Sequence, residues 1–469
     1  MGNLVELTAT ELRRALGARE VSAVEVVTEH LNSIERGARV NAMVTVDAAG
    51  ALSRAAELDR QGPSAELPLF GLPVGIKDTH DTAGMRTTYG SIRHADHVPD
   101  HDALHVRRMR DAGAIVIGKT NVPEYAAGSH SVNRVFGATR NPYAPDRSAG
   151  GSSGGAAAAL AARQVTLADG SDMGGSLRNP ASFCNIVGLR PSYGVVPPAE
   201  ANNLLTPLTT AGPMGRTVDD VELLLSVIGR ADARTPVADP TRLARFETDD
   251  RGLRGLRGLR VAWAPNFGGQ VPVESDVRDV LARAAAVFVE QGAHVEEASP
   301  DLNGAAEAFV QLRAAEFEAE WGDTLDSDPE DFNDRLAWNI RLGRTLTARD
   351  LMRAQERQST LMRGAARFFG DYDVLLAPAV TVTPFPIEWD YPETVAGEPQ
   401  QHYLDWMRAA TTVTMLGVPA LSVPAGFTPE GLPVGLQMVS AHGSDHRLLG
   451  LARAYEAITG FAKLAPAIE

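Results

Sequence analysis

Two loops rich in glycine and serine, joined by an alanine-rich run, form the stretch SAGGSSGGAAAALAARQVTLADGSDMGGSLRNP, Ser148–Pro180. The small apolar side chains of Ala156–Ala162 predict a tightly packed helix between the two loops. Ser152 and Ser176 lie one in each loop, 24 positions apart. Glycines beside a serine let the backbone approach a bound molecule closely, so both loops are candidates for a functional site.

Helices and strands are predicted to alternate on both sides of this stretch. Ser22 and Glu25 form a capping-box pattern at the start of a helix predicted over Ser22–Arg36. A second helix is predicted over Ser275–Gln291. Short apolar runs predict strands at Ala114–Ile117, Leu259–Ala264, Val374–Ala377 and Ala420–Val423. The alternation indicates an α/β fold with a largely parallel or mixed sheet.

The composition is that of an ordinary globular protein, with 469 residues, 44% hydrophobic and 22% charged. A net charge of −15 without a basic block disfavours nucleic acid and anionic membranes as main partners. Because no apolar run reaches about 18 residues and Met1–Arg13 does not resemble a signal peptide, we expect a soluble, cytoplasmic protein with no membrane span. The single cysteine, Cys184, excludes a disulfide framework, and its apolar neighbours predict a buried thiol.

Lysine is unusually rare in this chain. Of the 44 basic residues, only Lys77, Lys119 and Lys463 are lysine. A desolvated lysine can lose its proton, whereas arginine stays charged. These three positions are therefore candidates for chemistry that arginine cannot perform.

Two short motifs match known catalytic or binding patterns but lack the surroundings that those functions need. Gly113–Thr120 fits the phosphate-binding pattern GxxxxGK[ST], yet its four middle residues are typical of a strand. The pattern GxSxG would make Ser153 a nucleophile, with His442 and His446 as candidate partners. In hydrolases that use this pattern, the nucleophilic serine lies on a sharp turn directly after a strand. Here the preceding segment Asn141–Ser148 contains two prolines and is predicted as loop.

Four histidines and three aspartates lie close together in the sequence. The i,i+4 spacing of His101 and His105 suits a metal on a helix, but no third ligand has a convincing spacing. Solvated loop and helix residues are the favoured interpretation, and we expect no metal. The set comprises His94, His97, His101, His105, Asp96, Asp100 and Asp102.

Two segments of the second half are predicted to be solvent-facing. The acidic run Asp323–Asp334 indicates a solvated loop or helix face, and four prolines in Thr381–Gln401 predict a loop.

Several blocks resemble, in the same order, the motifs of the amidase signature hydrolases. Gly150–Gly155 and Gly170–Pro180 are similar to the family's signature stretch, and the similarity runs from about Glu6 to Gly460. Further similar blocks are Gly118–Glu124, Ser182–Pro191, Gly212–Thr217 and Gly417–Pro424.

The resemblance implies one domain over residues 1–469. Its fold would be a central twisted mixed β-sheet flanked by α-helices on both faces. The signature core would span about 70–220. Residues of about 301–403, which match least well, would vary with the substrate.

The resemblance also implies a serine–serine–lysine triad. Ser176 would be the nucleophile, Ser152 the bridging serine in the cis conformation, and Lys77 the base. A serine hydroxyl needs a base to become a good nucleophile, and a buried lysine can provide one. No cofactor or metal is needed for this chemistry.

The resemblance further implies supporting roles for residues near the triad. Backbone N–H groups of the loop Met173–Ser176, which includes Gly174 and Gly175, would stabilise the oxyanion. Asp172 and Arg178 would brace this loop. Gly128 and Ser129 would line the acyl pocket. Met173 stands where the family usually has a small polar residue, which concerns the substrate range rather than the mechanism.

The expected activity is hydrolysis of small or aryl amides, extending to carbamates (urethanes) and esters. The alternative is a glutaminase subunit similar to the A subunit of glutamyl-tRNA amidotransferase, which acts with partner subunits. A non-catalytic binding module is a third alternative, disfavoured by the intact triad. The expected partner is a small-molecule amide, ester or carbamate, and a homodimer remains open.

Overall fold

The structure is a computed structural model that describes residues 3–235 and 255–467. Within these ranges the chain forms thirteen α-helices. They are α1 Ala9–Gly17, α2 Ala23–Arg36, α3 Ala48–Gln61, α4 Leu104–Asp111, α5 Gly154–Ala161, α6 Arg178–Phe183, α7 Val218–Ile228, α8 Ser275–Glu290, α9 Ala305–Ser327, α10 Asp334–Thr345, α11 Ala348–Asp371, α12 Arg408–Met415 and α13 Asp445–Thr459.

An eleven-stranded sheet forms the centre of the structure. Its strands, in spatial order, are β1 Met43–Val46, β3 Ile115–Thr120, β2 Pro73–Lys77, β8 Leu167–Asp172, β10 Thr210–Gly215, β9 Val187–Arg190, β16 Ala420–Phe427, β17 Pro433–Val439, β13 Val374–Pro378, β11 Arg260–Trp263 and β12 His294–Glu297. Three two-stranded sheets pair β4 Val132–Asn133 with β5 Gly137–Ala138, β6 Arg140–Asn141 with β7 Ala144–Ser148, and β14 Thr394–Val395 with β15 Glu398–Pro399.

The central sheet is mixed, as predicted. β2 runs parallel to β3 and β8, and β11 runs parallel to β12 and β13. The pairs between them, β8–β10, β10–β9, β9–β16, β16–β17 and β17–β13, are antiparallel. Every residue of β2, β3, β13 and β17 is buried. Because successive side chains of a strand point to opposite faces, both faces of the sheet are covered at these strands.

The predicted helices and strands are present, with bounds shifted by a few residues. The capping box at α2 forms in both directions: Ser22 Oγ accepts the Glu25 N–H at 3.1 Å, and Glu25 Oε2 accepts the Ser22 N–H at 2.8 Å. The alanine-rich helix α5 begins at Gly154, two residues before the predicted start. The GxxxxGK[ST] segment lies in β3, as its apolar middle indicates.

Two predictions of loop need correction. Asn141–Ser148 holds β7, which tolerates Pro145 because it is an edge strand of a two-stranded sheet. Thr381–Gln401 holds the hairpin β14–β15, whose turn has positive φ at Ala396 and Gly397.

The acidic run lies at the end of α9 and in the turn that follows. Asp328 and Asp331 both accept hydrogen bonds from Arg93 at the protein surface, at 3.0 and 3.1 Å. Cys184 is a buried free thiol, as predicted. Within the two described ranges, no helix combines the length and the apolar character needed to cross a bilayer.

Candidate active site

Lys77 is the last residue of β2, and its ammonium group is fully buried against serines. Nζ donates to Ser152 Oγ at 2.7 Å, to Ser153 Oγ at 2.9 Å and to Ser171 Oγ at 3.0 Å. The parallel neighbour β8 carries Ser171, and α5 starts directly after Ser153. The carboxyl ends of β2 and β8 and the start of α5 thus bring three hydroxyl groups to one amine.

Burial changes the acid–base chemistry of Lys77. Desolvation lowers the pKa of its amine to about 7, although the charges of Asp169 and Asp172 act in the opposite direction. A substantial fraction of this amine is therefore neutral near pH 7 and able to accept a proton from a hydroxyl.

The loop before α5 presents Ser152 to a cleft. The Gly151–Ser152 peptide is cis. Ser129 Oγ donates to the carbonyl oxygen of Gly151 at 2.6 Å, and Ser131 Oγ donates to that of Ser152 at 3.3 Å. These two hydrogen bonds fix the position of the loop.

The cleft has a volume of about 810 Å³. Ser152, Ser171 and Ser176 lie along it, and α9 supplies one wall. The wall residues are Leu312, Arg313, Ala315, Glu316, Phe317, Ala319, Glu320 and Trp321. Ser153 is fully buried and is not part of the lining. Both serines of the predicted triad therefore line the cleft, although Ser152 is itself buried, and Lys77 contacts Ser152.

The loop Met173–Ser176 is organised by Asp172. The carboxylate accepts the N–H of Gly175 at 2.8 Å and that of Leu177 at 3.1 Å, and it pairs with Arg178 Nη2 at 2.9 Å. Burial alone would raise the pKa of Asp172, but the Arg178 guanidinium outweighs it and holds the pKa well below its usual range. Asp172 and Arg178 thus make the contacts that the predicted bracing role requires.

The hydrogen bonds of Asp172 distinguish Gly175 from the other three predicted oxyanion donors. The N–H of Gly175 is already directed at Asp172, so a contribution to an oxyanion would have to be shared with the carboxylate. Met173 faces the cleft, and its sulfur contacts Arg313 Nη1 at 2.8 Å.

Other predicted residues lie away from the cleft lining. Ser129 is buried beneath the Gly151 carbonyl, and Gly128 lies against the side chain of Arg335. His442 bonds to the carbonyl oxygen of Gly417 at 2.7 Å, and His446 lies 3.6 Å from Glu222. The structure thus does not bring either histidine to Ser153.

A buried carboxylate that sequence reasoning missed lies behind Lys77. Asp169 Oδ1 accepts the N–H of Lys77 at 2.6 Å, and Oδ2 accepts from His80 Nδ1 at 2.5 Å and from His105 Nε2 at 2.8 Å. The strand Leu167–Asp172 also contains a serine and a second aspartate, so Asp169 does not stand out in the sequence, and its partners are 64 to 92 positions away in the chain.

His80, His105 and Asp169 are also the residues best placed to hold a metal. Their ligand-type atoms lie within 4.8 Å of one another in the described part of the chain. Hydrogen bonding alone accounts for this arrangement. His105 points to Asp169, whereas His101 pairs with Asp100 at 2.9 Å. His101 and His105, the pair whose spacing suits a metal, therefore have different partners and do not face one common site.

Comparisons with known proteins identify the family of the chain. A model of the Amidase family matches residues 25–449. An acylamidase from Rhodococcus erythropolis is 35% identical, covering 99% of this chain and 98% of that protein. The A subunit of glutamyl-tRNA(Gln) amidotransferase from Alkaliphilus metalliredigens is also 35% identical, with 98% of each chain covered. The solved structure of a bacterial aryl acylamidase superposes with a TM-score of 0.88 at 28% identity, over 97% of this chain and 96% of that one. The chain belongs to the amidase signature family of amide-cleaving hydrolases.

Proposed function

We propose that this protein hydrolyses small or aryl amides through an acyl-enzyme, with Ser176 as nucleophile, Ser152 as proton relay and Lys77 as base. The observation that carries the proposal is the 2.7 Å contact between the buried Lys77 amine and Ser152 Oγ, which lies in the same cleft as Ser176.

In the proposed reaction, Ser176 gives up a proton through Ser152, and Ser152 later delivers a proton to the leaving nitrogen. Neutral Lys77 takes the proton of Ser152 while Ser152 takes that of Ser176, and Ser176 Oγ attacks the amide carbon. Backbone N–H groups of Met173, Gly174 and Ser176 stabilise the oxyanion. Ser152 then returns the proton to the leaving nitrogen, the C–N bond breaks, and water releases the acyl group from Ser176 by the same relay.

Acylamidase and aryl acylamidase are the names of two similar proteins, and they support amides as the substrate class. Aromatic rings of the cleft, including Phe317, Trp321 and Tyr125, suit an aryl group. Carbamates and esters present a similar carbonyl, so we include them as further substrates.

The test is a panel of p-nitroacetanilide, p-nitrophenyl acetate and an aryl carbamate with the purified protein. We expect turnover of the anilide, and we expect Ser176→Ala to abolish it while Ser153→Ala retains a measurable rate. Full activity of Ser176→Ala, with loss in Ser153→Ala, would contradict the assignment.

The second candidate is a glutaminase subunit, favoured by the similarity to amidotransferase A subunits over nearly the full chain. Glutamine hydrolysis that appears only after addition of partner subunits, with no turnover of anilides by the isolated chain, would establish this alternative and overturn the first.

A further inference from the structure

His80 lies in the cleft on a turn that is fixed at both backbone and ring. Its N–H donates to the carbonyl oxygen of Lys77 at 2.9 Å, and its own carbonyl oxygen accepts from the buried Lys119 Nζ at 2.5 Å. Lys119 also donates to Thr82 Oγ1 at 2.8 Å, which closes the turn. The lysine of the misleading phosphate-loop motif thus supports a residue of the cleft.

Asp169 selects the tautomer of the His80 ring. The Asp169 carboxylate accepts hydrogen bonds from the Lys77 N–H and from both histidine rings, and these bonds favour its ionised form against the effect of burial. An ionised carboxylate only accepts hydrogen bonds, so His80 Nδ1 carries the proton. Burial also lowers the pKa of His80 to about 4. The ring is therefore neutral near pH 7, and its Nε2 has a free lone pair.

The free nitrogen belongs to a residue of the cleft. His80 lines the cleft with Ser152 and Ser176, and its Nε2 makes no hydrogen bond within the residues that the structure describes. His80 follows three residues after Lys77, which contacts Ser152. In the proposed reaction Ser152 returns the proton to the leaving nitrogen, so that nitrogen must approach the part of the cleft that Ser152 and the His80 turn share.

We propose that His80 Nε2 accepts a hydrogen bond from the N–H of the scissile amide and so makes the enzyme selective for substrates that carry this hydrogen. This inference rests on the function proposed above. When Ser176 attacks, the nitrogen loses its conjugation and its lone pair must turn towards the proton of Ser152. The N–H then turns away from Ser152, and an acceptor placed there stabilises the intermediate without taking the proton. An ester has no such hydrogen and gains nothing from His80.

The test compares two substrates that form the same acetyl-enzyme. p-Nitroacetanilide has the N–H, and p-nitrophenyl acetate has an oxygen in its place. We expect His80→Leu to lower kcat/KM for the anilide by about 10- to 100-fold more than for the ester, the size of one lost hydrogen bond in a buried site. His80→Gln, which carries an amide oxygen at a similar reach, restores part of the anilide rate. An equal loss for both substrates would overturn the inference.

The matched control is His105→Gln, which changes the other histidine on Asp169 but does not line the cleft. We expect it to leave the ratio of the two kcat/KM values unchanged, and a change as large as that of His80→Leu would overturn the role of Nε2.

A measurement on the unmodified protein tests the inference without depending on the folding of any variant. N-methyl-p-nitroacetanilide, which lacks the N–H, should react at least tenfold more slowly than p-nitroacetanilide after correction for their alkaline hydrolysis rates; equal rates would overturn the inference. If the unmodified protein hydrolyses none of the three substrates, the proposed function fails together with it. Turnover through Ser176 without this selectivity rejects the inference alone.

Discussion

At the scale of single residues, Lys77 differs from the arginines of the cleft region because its amine is buried against hydroxyl groups. Arg178 is equally buried but is paired with Asp172 at 2.9 Å and remains a charged brace. Lys77 has hydroxyls as its nearest partners, so desolvation dominates and lowers its pKa to about 7. The rarity of lysine in the chain pointed to three positions, and the resemblance to the amidase signature hydrolases selected Lys77 among them.

The pH dependence of turnover follows from that pKa. Because the base acts when neutral, kcat/KM for p-nitroacetanilide should rise about tenfold per pH unit below pH 7 and level off above it. The measurement is a steady-state profile from pH 5 to 9 with a substrate that does not ionise. A flat profile, or a rate that falls as pH rises to 8, would contradict a neutral lysine as the base.

The sequence allowed the prediction of residues that carry a recognisable local motif and missed those assembled across the chain. Ser152, Ser176, Asp172 and Arg178 lie in one continuous stretch, and the structure places them together. The pairing of Asp169 with His80 joins positions 89 apart, and no periodicity or spacing signals such a contact.

At the scale of elements, close packing of α5 sets the position of the serine loop. The N–H of Gly155 donates to the carbonyl oxygen of Asn121 at 3.1 Å, just beyond β3. A Cβ at Gly155 would lie 2.1 Å from the backbone nitrogen of Asn121. Only glycine permits this approach, which brings the start of the helix against the strand and directs Ser152 towards Lys77.

Gly155→Ala should therefore destabilise the fold by about 2–4 kcal/mol, because the backbone must move to admit one methyl group. The matched control is Gly364→Ala in α11, where nothing lies within 4 Å, and there alanine should stabilise by roughly 0.5–1 kcal/mol. Urea unfolding measures both free energies of unfolding. A neutral effect of Gly155→Ala would show that this packing does not hold the loop.

Element types were more predictable than their exact ends. Apolar periodicity was enough to predict both α2 and α8, and α2 has a capping box as a further signal. Strand β8, with Asp169 and Gly170, lacks the β-branched pattern that signals a strand, and its place in the sheet depends on pairing with β2 and β10.

At the scale of the whole molecule, the cleft is assembled from segments that are far apart in sequence. Ser152 and Ser176 come from the signature stretch, whereas α9 and the residues around Tyr193 and Asn203 form the walls. The resemblance implied that residues of about 301–403 would vary with the substrate, and Trp321 from this stretch lines the cleft. Which of them would do so could not be read from the sequence, because helix α9 is long and partly buried on several sides.

Buried histidines make the global stability dependent on pH. Burial lowers the pKa of His30 to about 4, so between pH 6.5 and 4 the unfolded chain binds a proton that the folded chain does not. The stability linked to His30 is therefore present above pH 6.5 and is lost as pH falls towards 4. Buried Glu316 and Glu456, whose pKa burial raises to about 7, act in the opposite sense and mask the net slope.

The difference between the protein and its His30→Leu variant isolates this effect. Relative to the unmodified protein, the variant should gain about 2 kcal/mol of unfolding free energy when the pH is lowered from 7 to 4.5. Urea unfolding at the two pH values measures it. An identical pH dependence of both proteins would contradict a lowered pKa, because it would show that His30 binds its proton equally well in the folded and the unfolded chain.

The central claim is that Lys77 activates Ser176 through Ser152. The most direct measurement is the rate of labelling by a fluorophosphonate at pH 8, with the labelled residue identified by tandem mass spectrometry, in the unmodified protein and in Lys77→Arg. We predict a single adduct on Ser176 and labelling at least 100-fold slower in Lys77→Arg, because a guanidinium cannot act as a base. An adduct on Ser153, or equal labelling rates in the two proteins, would contradict the account.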